Sequence, residues 1–175
     1  NRLVYHLQGC NFACKWCSNA DSIPRENPKA KERSGDDIFD EIMRSRMMFF
    51  DGGGVTFTGG ECTLWYAELL PLFKRLHEQG ISVAIETNAS SVHLPELAEY
   101  IDHLIVDLKH FDDEWHIKWV GASFKETKKN IEFFFASGRK IHIRIPVING
   151  VNTCPEGFAD YFSLFDTSHA DFEFL

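Results

Sequence analysis

Gly53-Gly54-Val55-Thr56-Phe57-Thr58-Gly59-Gly60-Glu61 sets a short run of β-branched and aromatic residues between two groups of glycines. Val55 to Thr58 reads as a strand, and the glycines on either side end what precedes it and turn the chain after it. Beyond Glu61 the period changes: Leu64, Leu69, Leu72, Phe73 and Leu76 fall at helical spacing and stop near Gly80. Strand, turn and helix in this order form half of a β-α-β unit, and the pattern extends both ways. Towards the start, Leu3 to Leu7 is a short apolar strand, and Ser34 with Asp37 three residues on caps a helix of about three turns through Ile38, Ile42 and Met43. Towards the end, Ile81 to Glu86 is a strand closed by Thr87-Asn88, and Pro95, Leu97 and Ile101 mark a third helix. His103 to Asp107 is a strand with Leu108-Lys109 directly after it. A helix from about Phe124 to Ser137 ends at Gly138. Ile141 to Ile145 is a strand, Gly157 to Phe165 a weaker helix, and a final strand starts near Asp171. Such alternation predicts an α/β fold with a parallel sheet covered by helices, its strands buried on both faces and so rich in Val, Ile and Phe.

The bulk properties narrow the function classes. At 175 residues the chain is long enough for one domain with a sizeable core, and its 16 Phe predict that the core is aromatic-rich. Lys and Arg number 18 against 26 Asp and Glu, for a formal charge of −8, which argues against general affinity for nucleic acid. No apolar run approaches the ~20 residues that span a bilayer, and no signal peptide is visible. With three of its five cysteines clustered, the chain is expected to be a cytoplasmic, monomeric protein with no membrane partner. It opens at Asn1 and ends at Leu175 within strand-like sequence. It is therefore read as one domain, residues 1–175, from a fragment cut at both ends.

Gly9-Cys10-Asn11-Phe12-Ala13-Cys14-Lys15-Trp16-Cys17-Ser18-Asn19 holds the clustered thiols, three of them within eight residues. A disulfide framework fits poorly, because three is odd and one sulfur has no local partner. A structural zinc site needs four ligands, and the nearest histidine is His6, inside the first strand. Thiolates also hold iron–sulfur clusters, and three would leave one iron of a four-iron cluster open to another ligand. Spacing alone leaves zinc and cluster both in play.

Other polar residues collect where α/β folds bind ligands, at the carboxyl ends of strands. These are Gly59-Gly60-Glu61, Glu86-Thr87-Asn88, Asp107-Leu108-Lys109 and Arg144. Gly59 and Gly60 allow backbone to approach a ligand closely. Glu61 can accept from an ammonium, Arg144 or Lys109 can pair with a carboxylate, and Glu86, Thr87 and Asp107 offer oxygens to a small cation. Such a set suits a zwitterionic cofactor.

Taken together, these motifs resemble those of the radical S-adenosylmethionine (SAM) superfamily. Cys10-x3-Cys14-x2-Cys17 is similar to its cluster motif, and Gly59-Gly60-Glu61 to the motif that contacts the methionyl amino group. Gly53 to Glu61, Asp107-Leu108-Lys109 and Ile143-Arg144-Ile145-Pro146-Val147 are similar, more narrowly, to the glycyl-radical-enzyme activating enzymes, the pyruvate formate-lyase activator type. The resemblance covers nearly the whole chain and implies a parallel sheet curled into a partial (β/α)6 barrel. It implies a [4Fe-4S] cluster on Cys10, Cys14 and Cys17, whose electron cleaves SAM to methionine and a 5′-deoxyadenosyl radical. That radical takes hydrogen from a glycine Cα in a partner glycyl radical enzyme, with flavodoxin or ferredoxin as electron donor; the alternative substrate is a small molecule. The resemblance further places Trp16 near the adenine and Ser18 and Asn88 in the cofactor pocket, with the Asp107–Lys109 backbone lining it. It sets Arg144 and Lys109 near the SAM carboxylate. Glu86, Thr87, the Ile105 backbone and Asp107 match a monovalent-cation site, in which Glu86 stands where the pyruvate formate-lyase activator has Asp. Many relatives carry a cysteine-rich ferredoxin-like insert after the first motif; Ser18 to Arg33 has no cysteine, which implies a single cluster. The resemblance also implies a segment before the first strand and a histidine-bearing segment after the last, both outside residues 1–175.

The remaining candidates are read as structural. Cys62 is adjacent to Glu61 and is taken as a small residue at a helix start rather than a fourth ligand. Cys154 is taken as an ordinary loop thiol. His110, His116 and His142 lack metal spacing, and Trp115 and Trp119 are expected to pack on the barrel rim rather than touch the partner enzyme.

Overall fold

A computed structural model of the chain describes residues 1–153 and 155–175, so Cys154 lies outside the described residues. Six strands form one sheet: β1 (Arg2–Leu7), β2 (Gly54–Gly59), β3 (Ser82–Thr87), β4 (His103–Asp107), β5 (Ile141–Ile145) and β6 (Ala170–Phe174). Their spatial order is the chain order, every adjacent pair is parallel, and β1 and β6 are not paired to each other. Sequential parallel order with helical crossovers gives an unclosed α/β sheet, consistent with the partial barrel.

The helices are α1 (Gly35–Ser45), α2 (Tyr66–Glu78), α3 (Leu94–Leu97), α4 (Asp113–Val120), α5 (Lys125–Ala136) and α6 (Pro155–Phe162). The Ser34–Asp37 capping box forms: Ser34 Oγ accepts from Asp37 N at 3.1 Å and Ser34 N donates back to Asp37 Oδ2 at 3.1 Å. α2 is preceded by a short 3₁₀ turn, Cys62–Trp65, and buries Leu69, Leu72, Phe73 and Leu76 against the sheet. Its Pro71 lies on the exposed face. The third helix is only one α-turn, Leu94–Leu97, continued by a 3₁₀ turn.

Phe57, Phe73 and Phe134 are among the largest fully buried side chains, as the Phe count suggested. A second aromatic group joins Phe111 and Phe165 to Phe158 and Tyr161 of α6. α4 is a difference from the sequence reading, which left this stretch without a helix. Asp112 caps it through Trp115 N at 2.7 Å, and Gly121 closes it at φ +81°. No helix of the described residues is long and apolar enough to cross a membrane.

Candidate active site

The β1–β2 register places Leu7 beside Gly59, and this pairing builds one wall of the site. Gly59 has φ +118°, and a Cβ there would lie 2.3 Å from Leu7 O. A Cβ on Gly60 would lie 2.2 Å from Gly9 O and 2.6 Å from Ser22 O. Backbone bonds run through the same contact, Gly60 N to Leu7 O at 2.9 Å and Glu61 N to Gly9 O at 2.8 Å. The glycines thus admit the chain's own backbone, in the residues leading into Cys10, and both also line the cavity described below.

The cysteine loop is fastened on three sides. Gly9 N and Cys10 N donate to Ser22 O and Ile23 O at 2.8 and 2.9 Å. Ala13 N and Lys15 N donate to Val120 O and Trp119 O at the end of α4, at 2.8 and 3.2 Å. Asn11 accepts from Asn88 Nδ2 at 3.0 Å and donates to Ser90 Oγ at 2.7 Å. α4 also backs the loop with rings. Phe12 meets His116 edge-on at 5.1 Å, Trp16 lies 5.7 Å from Trp115, and Trp115 stacks on His110 at 4.3 Å. Trp115 and Trp119 therefore pack on the rim as expected, with Lys15 Nζ 4.6 Å from the Trp119 ring centre.

Cys10, Cys14 and Cys17 line one cavity of about 380 Å³ with Trp16, Ser18 and Gly59-Gly60. Its far wall carries Glu86, Thr87, Asn88, Asp107, Lys109 and Arg144. Burial pushes the Cys10 thiol up, and raises that of Cys14 to about 11 against the opposing charge of Lys109. The other candidate ligands lie elsewhere. His6 is exposed on β1 and does not line the cavity. Cys62 is fully buried, its Sγ 3.5 Å from Glu86 O, as befits a small residue at a helix start. Among the described residues a four-ligand structural zinc site lacks its fourth ligand. Three partly exposed thiols on one cavity wall fit a cluster that leaves one iron to another ligand.

Glu61, Ile105 and Leu108 do not line this cavity. The Leu108 side chain is in the core, and its N–H donates to Arg144 O at 2.9 Å. Glu61 is 1% exposed and faces inward. Its Oε1 accepts from Thr63 N, Thr63 Oγ1 and Thr87 Oγ1 at 3.0, 2.6 and 2.7 Å, and its Oε2 from Asn88 N at 2.7 Å. Burial pushes this carboxyl up, against four hydrogen bonds that favour its ionised form. Glu61 therefore ties the end of β2 to the end of β3, in place of the expected bond to an ammonium.

The charged wall is internally paired. Arg144 Nε and Lys109 Nζ hold the two oxygens of Asp107 at 2.8 and 2.9 Å, and Arg144 also reaches Glu86 Oε2 at 3.2 Å. Burial works to raise the Asp107 carboxyl, but Lys109 and Arg144 together outweigh it and hold the group below its usual range. Sequence reasoning missed Asn11 and Thr58, which lack strong local signatures. It also missed α5's contribution: Thr127 Oγ1 donates to Asn88 O at 3.0 Å, and Asn130 Nδ2 donates to Ala89 O and Ser91 O, both at 2.8 Å. A signal existed, since Thr127 and Asn130 share the buried face of α5 with Ile131 and Phe134. The loop they hold needs support, because buried Ala89 has φ +57°. His110 and His116 are buried, and His142 is half-exposed beside Glu173.

The family model of the radical SAM superfamily matches residues 4–162, and the chain belongs to that superfamily. Two curated relatives named pyruvate formate-lyase-activating enzyme are similar to it. That of Streptococcus mutans is 29% identical over 158 residues, 86% of this chain and 60% of the relative. That of Staphylococcus epidermidis is 35% identical over 129 residues, 69% of this chain and 51% of the relative. The chain thus spans about half to three-fifths of these relatives' lengths. A solved domain of a pyruvate-formate lyase-activating enzyme from Bacteroides vulgatus superposes with a TM-score of 0.56 at 33% identity, over 63% of this chain and 70% of that one.

Proposed function

We propose that the chain is the radical-generating domain of an activase that installs a glycyl radical in a partner enzyme. The observation that carries this reading is the single cavity in which three thiols face a wall of paired charges, Glu86, Asp107, Lys109 and Arg144. Cys10, Cys14 and Cys17 would hold a [4Fe-4S] cluster, and the opposite wall with Trp16, Ser18 and Asn88 would hold SAM. Bound there, the cluster would supply the electron that cleaves SAM, and the cofactor would supply the radical that takes hydrogen from glycine Cα. The chain's own residues bind and orient. Lys109 and Arg144 put positive charge where a carboxylate can pair, the Trp16 ring lies at the cavity edge, and Asn11 with Asn88 ties the two walls together.

The names of the relatives support a protein substrate, and so does the site itself. Its polar side chains are largely engaged with one another, which leaves a substrate to be recognised by shape and backbone, as a peptide loop is. In the test, the reduced chain is given SAM and a candidate glycyl radical enzyme deuterated at glycine Cα. Deuterium in 5′-deoxyadenosine and a growing glycine-centred radical signal are expected. Cleavage of SAM without deuterium transfer, across the partners encoded alongside it, would transfer the assignment to a small-molecule substrate.

A further inference from the structure

Glu86, Thr87, the Ile105 backbone and Asp107 were expected to hold a monovalent cation, and their surroundings do not fit one. Thr87 is 3% exposed and turned into the protein: its Oγ1 donates to Glu61 at 2.7 Å and accepts from Ala89 N at 2.9 Å. Glu86 Oε2 accepts from Thr58 Oγ1 at 2.9 Å and from Arg144 at 3.2 Å. Asp107 is taken on Oδ1 by Arg144 and on Oδ2 by Lys109. The two carboxylates therefore meet two cations of the chain, and the guanidinium lies between them.

The sheet dictates this arrangement. The β4–β5 register sets Asp107 beside Arg144, and from there the long arginine crosses β4 to reach β3. At position 86 a glutamate extends one methylene further than aspartate would, towards both Thr58 and the guanidinium. Planar guanidinium forks bind two carboxylates with fixed geometry, which a spherical ion does not impose.

We infer that Arg144 is the resident counter-ion of this wall, a positioning residue that holds Glu86 and Asp107 in place so that the site assembles without sodium or potassium. Its consequence for SAM rests on the proposed cofactor reading; the pairing itself does not. The test measures the thermal midpoint of the metal-free chain in potassium, sodium and N-methyl-D-glucamine chlorides at equal ionic strength, and SAM affinity of the reconstituted chain in the same salts. Parent midpoints and affinities should coincide in all three. Arg144→Gln should lose about 5 °C in the organic-cation salt and regain part of it, saturably, in potassium or sodium. A parent midpoint or affinity that climbs saturably with either metal ion overturns the inference, as does an Arg144→Gln chain as stable as the parent in the organic-cation salt. Should Arg144→Gln not fold, the parent series decides alone. If the parent binds no SAM in any salt, the cofactor reading fails while the midpoints still decide the counter-ion.

Discussion

Gly60→Ala tests how the strand end holds the cysteine loop. An added Cβ would sit 2.2 Å from Gly9 O, 2.6 Å from Gly9 C and 2.6 Å from Ser22 O. Ordinary contact is about 3.5 Å, so the loop must retreat by roughly 1 Å. All three atoms are backbone, and no side-chain rotation relieves the clash. The retreat stretches Glu61 N to Gly9 O, now 2.8 Å, and Gly9 N to Ser22 O, also 2.8 Å. Two weakened hydrogen bonds at about 0.5 kcal/mol each, with overpacking of about 1–3 kcal/mol, give a loss of about 2–4 kcal/mol. At 2–4 °C per kcal/mol for a chain of this size, the midpoint should fall by roughly 5–15 °C. Because Cys10 is next to the displaced residue, iron loading after anaerobic reconstitution should fall too. Gly35→Ala is the control, since nothing lies within 4 Å of its Cβ and it sits in the first turn of α1. A Gly60→Ala chain that melts with the control and loads the same iron would refute the reasoning.

Glu61→Gln sets an NH₂ group towards one of four donors and should cost about 1–3 kcal/mol in urea titration at neutral pH. The same variant carries a pH signature. Because the Glu61 carboxyl is raised in the fold, its contribution to stability is full below the ordinary value of 4.5 and declines as pH rises through the folded value. The variant should lack that decline. In the metal-free chain, iodoacetamide should modify Cys14 slowly at neutral pH and increasingly as pH approaches about 11, read residue by residue by mass spectrometry. Trp115→Ala removes the ring behind Trp16 and the Nε1 bond to Val151 O at 2.9 Å, and should speed tryptic cleavage after Lys15 severalfold relative to the parent.

Much of the fold was legible because its signals are local. β4 and β5 coincide with the sequence reading, His103–Asp107 and Ile141–Ile145, since buried parallel strands are short apolar runs bounded by polar residues. α4 was not legible: Asp113–Val120 buries only His116 and Val120, and its remaining contacts are made through Trp and His rather than an aliphatic stripe. The site divides in the same way. The cysteines and the polar strand ends were read from chain position, because the carboxyl ends of parallel strands share one rim. The direction in which Glu61 points depends on Thr87 and Asn88, which the β2–β3 pairing brings to it from 26 and 27 residues away. The Arg144–Glu86 pair joins residues 58 apart across an intervening strand, and no local pattern encodes that distance.

The central claim is that the three thiols and the charged wall form one site, and electron paramagnetic resonance of the reduced, reconstituted chain with and without SAM tests it most directly. About four irons per chain should load and give a cluster signal whose shape shifts when SAM is added, in the parent and in Cys62→Ala but not in Cys14→Ala. Zinc taken up in place of iron, a signal that SAM leaves unmoved, or a cluster lost in Cys62→Ala would contradict it.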